Sequence, residues 1–126
     1  MANECIPLFR PGADVTCLTT GAVTGKTFVD ISATRDAATG LFKVATAAAG
    51  AKAFGVATYD AASGARVPVI AGPGHIVPVT ARATIAFGAE VEVGGTGGVI
   101  TLASGKAVGK ALEAGTNGND IFIELY

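Results

Sequence analysis

From residue 14 onward, short runs of β-branched residues alternate with glycine-bearing turns, and this punctuation fits an all-β sandwich or barrel. Strands are expected at Val15 to Thr19, Thr27 to Ile31, Leu41 to Ala45, Gly55 to Thr58, Arg66 to Ala71, Ile76 to Thr80, Ala89 to Val93, Val99 to Leu102 and Asp120 to Tyr126. The last run alternates most cleanly. Ile121, Ile123 and Leu125 point to one face and Phe122, Glu124 and Tyr126 to the other, which predicts a place in the core sheet. The alanine-rich stretch Thr46 to Ala53 is interrupted by Gly50 and reads as a loop, because so short a helix is marginal. The fold class is mostly β, a small glycine-rich β-barrel or sandwich.

Two prolines, Pro68 and Pro78, fall inside expected strands; proline cannot donate to a ladder, so these strands are expected at sheet edges or with bulges. The chain also repeats itself. Gly55, Ala57, Gly64, Val67 and Val69 have the spacing of Gly109, Ala111, Gly118, Ile121 and Ile123, each set reading as strand, turn, strand. This suggests internal pseudo-symmetry within one domain, residues 14–126.

Residues 1–13 have a different character. Pro7 and Pro11 flank Ile6, Leu8, Phe9 and Arg10, and proline excludes regular helix while favouring an extended path. The segment is expected to be an extended N-terminal arm, able to span roughly 40 Å at about 3.3 Å per residue. Ile6, Pro7, Leu8, Phe9 and Arg10 are its candidate binding residues.

Charge narrows the choice of partner. Charged residues make up 15% of the chain, against roughly 25% in an average soluble protein, which fits either an alanine- and glycine-rich monomer or a surface partly covered by other subunits. The net charge is −1 and the nine basic residues form no run of three, so nucleic acid is not an expected partner. No stretch has the form of a secretory signal or a membrane span, which predicts a protein made and used in a cytosol or in something assembled there. Cys5 and Cys17 are wrongly spaced for a metal knuckle and are expected as free thiols.

Several segments imitate chemical motifs. Gly21 to Thr27 resembles a phosphate-binding loop but has three residues between Gly21 and Gly25 where four are needed, and it lies between two β runs; it is read as a hairpin turn. Glu90 and Glu92 fall on one strand face and are read as its wet side, alternating with Val91 and Val93. Asn117 and Gly118 form a tight turn, not a calcium loop, and the glycines from Gly94 to Gly98 also suit a turn. His75 stands alone, without the second histidine that a metal site or a triad would use, and suits a packed or interface role. With no motif-flanked nucleophile, no enzyme activity and no cofactor or metal are expected.

Three segments carry a family likeness: Phe54 to Val67, Ala86 to Val93 with its glycine turn, and Ala107 to Ala114 followed by Asp120 to Leu125. In these the chain resembles the head-decoration, or capsid cement, proteins of tailed phages. The resemblance implies a non-enzymatic virion protein on the capsid exterior, assembled in the host cytoplasm. It also implies a homotrimer that clamps neighbouring subunits of the major capsid protein. An apolar arm suits that role by adding a strand to a sheet edge on the shell. A receptor- or carbohydrate-binding β module of a fibre or adhesin is the alternative, although the chain has no Trp and two Tyr. A biotinyl- or lipoyl-type carrier would also pair two β halves, but Lys106 and Lys110 lack the expected neighbours.

Overall fold

The computed structural model describes residues 14–126, and its architecture is two β-barrel-like halves in tandem. The first half contains β1 (Val15–Thr19), β2 (Phe28–Ala33), β3 (Phe42–Thr46), β4 (Gly55–Ala57) and β5 (Arg66–Ile70). They close in the order β1-β3-β2-β4-β5, with β5 returning antiparallel to β1 and a parallel pair between β1 and β3. The second half contains β6 (Ile76–Thr80), β7 (Glu90–Val93), β8 (Val99–Thr101), β9 (Gly109–Ala111) and β10 (Asp120–Leu125), in the order β6-β10-β9-β7-β8. Its two ends meet just past β6, where Ala81 bridges Val99 in parallel.

The halves repeat each other pair by pair. Cys17 faces Val67 as Val79 faces Ile121, and Ala57 faces Val69 as Ala111 faces Ile123. Val29 pairs Thr46 as Val91 pairs Thr101, and the isolated bridge Val23 to Ala61 returns as Ile85 to Gly115. Even the parallel closure recurs: Thr19 lies opposite Val44 as Ala81 lies opposite Val99. The five-residue sequence repeat is thus part of a duplication spanning all ten strands.

Matched interior positions carry matched aliphatic residues. Val29, Val44, Val67 and Val69 fill the first barrel, and Val91, Val99, Ile121 and Ile123 the second, all buried. Burying a side chain of this size is worth about 1.5–3 kcal/mol, so the inward face of each strand fixes its register. The halves also share a core: Phe28, Ala47 and Val56 point away from the first barrel and join the second half's apolar cluster. Gly50 and Gly105, at matched positions beside that seam, approach so closely that a Cβ on Gly105 would sit 2.5 Å from the Gly50 Cα.

Most strands fall where the alternation places them, with ends moved by one or two residues. β10 is an interior strand with Ile121, Ile123 and Leu125 buried, as its alternation predicts. β9, three residues long, was visible only through the repeat. Pro78 lies on β6, an end strand in the sheet order, but the edge or bulge expected at Pro68 is not there: β5 is paired on both sides without a register shift. The Pro68 carbonyl accepts the Thr58 amide at 3.1 Å, so the proline nitrogen faces the chain just past the end of β4, where a single rung is lost. Gly21 to Thr27 is likewise not a hairpin turn. β1 and β2 lie on either side of β3, and the segment is a crossover held by paired amide bonds between Val23 and Ala61.

Candidate interaction surfaces

The arm residues Ile6, Pro7, Leu8, Phe9 and Arg10, and Cys5, lie outside the described residues. The remaining candidates are placed. Cys17 is a free, buried thiol on β1, and burial pushes its pKa up to about 11. His75 packs beside Gly72, with Nδ1 3.0 Å from the Gly72 carbonyl oxygen. Among the described residues, no three His, Cys, Asp or Glu side chains are grouped closely enough to hold a metal ion.

Glu90 and Glu92 do not share a wet face. Glu90 is exposed, whereas Glu92 is 4% exposed beneath the loop that follows β8. Its Oε1 accepts the Ala103 amide at 3.3 Å, while Oε2 has no hydrogen-bond partner among the described residues and packs against Gly105. The cover comes from contacts that alternation along one strand does not encode: Gly50 donates to the Val93 carbonyl and Lys106 donates to the Gly50 carbonyl, pinning this loop to the first half.

The crossover that imitates a phosphate loop ends in an ion pair. Lys26 has a left-handed backbone (φ +63°) at the position where the second half has Gly88 (φ +78°). Its Nζ lies 2.7 Å from Asp120 Oδ2, and this hydrogen bond, helped by Thr80, holds the Asp120 carboxyl below the usual range. Tyr59, half exposed, and Asp60 stand beside this pair in a shallow polar hollow. A second hollow of about 320 Å³ lies at the seam, lined by Phe28, Phe54, Val108, Leu125 and Tyr126, with Lys52 among its lining residues.

Most of the exposed large hydrophobic residues fall on the second half, with Ile31 and Tyr59 on the first. Phe122 on β10 lies between Pro78 on β6 and Leu112 just past β9, whose amide bonds the Phe122 carbonyl. Ile76 lies two residues from Pro78, and Phe87 precedes Gly88, whose amide bonds the Ala111 carbonyl beside Leu112. Ile76 is 61%, Phe87 78%, Phe122 49% and Leu112 45% exposed. Beside this row runs a charged one in which Glu124, Lys110 and Glu90 pair across β10, β9 and β7. Tyr126 packs against Glu90, which raises its phenol pKa. No sequence motif marks this surface. Exposure depends on which strands neighbour which, and only the topology supplies that.

The features that the described residues present are two barrels, a crossover, and an apolar face rimmed by carboxylates. The same fold is seen in the crystal structure of the N base of the head fibre gp8.5 of bacteriophage phi29. That structure superposes with a TM-score of 0.75 at 19% identity, over 90% of this chain and 92% of that one. No curated protein matches by sequence. The sequence profile of phage cement proteins matches residues 10–125, covering every strand of both barrels, and the chain belongs to the phage cement protein family.

Proposed function

We propose that the protein binds the outer surface of an expanded tailed-phage capsid and stabilises it by cementing neighbouring major capsid subunits. The observation that carries this reading is the family match across the whole two-barrel unit. Residues 14–126 act as one domain, and the protein binds as a homotrimer, so that modest contacts per copy add up across the repeated sites of a shell. The arm, with Ile6, Pro7, Leu8, Phe9 and Arg10, supplies a further contact to the shell. The work is mechanical and needs no catalytic group.

Mixing the protein with expanded shells stripped of decoration tests this, with co-sedimentation measuring copies bound per shell. Saturable binding in multiples set by the three-fold sites is expected. Removing residues 1–12 is expected to leave the domain folded and to weaken binding by ten-fold or more; unchanged binding takes the arm out of the mechanism. If folded protein fails to bind the shells, the receptor-binding reading takes its place, with Tyr59 and its polar hollow as the site to examine.

A further inference from the structure

The duplication provides an internal control for what the fold itself requires of an outward-facing side chain. In the first half, the row Phe28, Val56 and Ile70 is apolar, and it is packed against the second half. The next row, Thr16, Pro68 and Thr58, faces outward with two hydroxyl residues. In the second half the chemistry is exchanged. The positions matching Phe28, Val56 and Ile70 are Glu90, Lys110 and Glu124, while those matching Thr16, Pro68 and Thr58 are Pro78, Phe122 and Leu112. Ile76 matches Asp14, and Phe87 matches Gly25.

The barrel therefore does not need apolar residues on the outer row, because the first half builds the same register with threonines there. The apolar outward row of the first half, Phe28, Val56 and Ile70, is the row that the second half covers. The geometry points to the face formed by Ile76, Pro78, Phe87, Leu112 and Phe122 as the surface by which the domain docks on the capsid shell. This rests on the capsid-binding reading above.

Charge argues against two copies of this face meeting about a two-fold axis. Glu90, Glu113 and Glu124 outnumber Lys110 along its border, so two such faces pressed together would bring carboxylates against carboxylates. The occupant has an apolar centre and a basic margin. The family match supports the shell, since it covers this face but not residues 1–9, so the property common to the family lies within residues 10–125. Phe87 and Phe122 are the central anchors, in the manner of aromatic hot spots ringed by polar contacts.

The test compares full-length wild type with F87S, F122S and, as a control on the matched outer row of the first half, T16S. Each is checked for folding by circular dichroism, for self-association by sedimentation velocity and for binding to stripped expanded shells. F87S and F122S are expected to bind at least ten-fold more weakly while folded, with T16S unchanged and self-association unaltered. Folded F87S and F122S that bind like wild type overturn the proposal while leaving the capsid-binding reading intact. Loss of self-association at unchanged shell affinity overturns it in favour of a second copy, and failure of wild type itself to bind overturns the reading on which it rests.

Discussion

Cys17 occupies an interior position of the first barrel that Val79 fills in the second, and the fold uses it as a small apolar side chain. Burial raises its thiol pKa to about 11, which suppresses the reactive thiolate at neutral pH. With Cys5 replaced by serine, a thiol reagent at pH 8 is expected to label Cys17 only as fast as the protein opens, with rapid labelling in denaturant; fast labelling of the folded protein would contradict the burial. Because deprotonation is disfavoured in the folded state, this thiol also lowers stability as pH rises from about 9 towards 11. Asp120 acts at the other end of the scale. Its hydrogen bond from Lys26 lowers its pKa, so its contribution is present above the ordinary aspartate range and lost as pH falls through the lowered value. Both side chains are about half exposed, so D120N is expected to cost under about 1 kcal/mol in denaturant unfolding at pH 7 and to flatten the acid limb of stability.

At the scale of strands, the readable part of the sequence was the part set by close contact and burial. Gly55 and Gly109 stand at matched places on β4 and β9. A Cβ on Gly55 would lie 2.5 Å from the Ile70 carbonyl oxygen, and one on Gly109 would lie 2.6 Å from that of Glu124, itself the match of Ile70. Backbone cannot move aside as a flexible side chain can, so both glycines persist in the repeat, and so do the inward aliphatics beside them. G55A and G109A are each expected to destabilise by about 2 kcal/mol or more, to similar extents, in chemical unfolding. A cost at one site only would mean that the two halves are not held by the same contacts. What stayed illegible is equally physical. The outer rows diverged because one is covered by the other half and its counterpart is not, and a strand pattern records alternation without recording what covers each face. For that reason alternation places Glu92 on a wet face although a loop buries it, and does not distinguish the apolar face at Phe122 from an ordinary strand.

At the scale of the molecule, duplication has not produced two independent units. The second barrel recruits Phe28, Ala47 and Val56 from the first, and the loops at Gly50 and Gly105 are locked by backbone bonds across the seam. A fragment spanning residues 73–126 would keep all five of its strands yet expose an apolar surface where those three side chains sat, in a chain so short that its own core is marginal. It is expected to be unfolded or aggregated when made alone, and to recover a β-type circular dichroism spectrum when mixed with residues 1–72. The intact chain should unfold in one transition, with fluorescence of the tyrosines and far-ultraviolet circular dichroism coincident. A fragment 73–126 that folds alone, or two separate transitions in the intact protein, would make the seam a dispensable contact between two domains. A single transition makes it part of one core, and a load applied at the Phe122 face would then be shared by both barrels, the rigidity that the proposed clamping role would require.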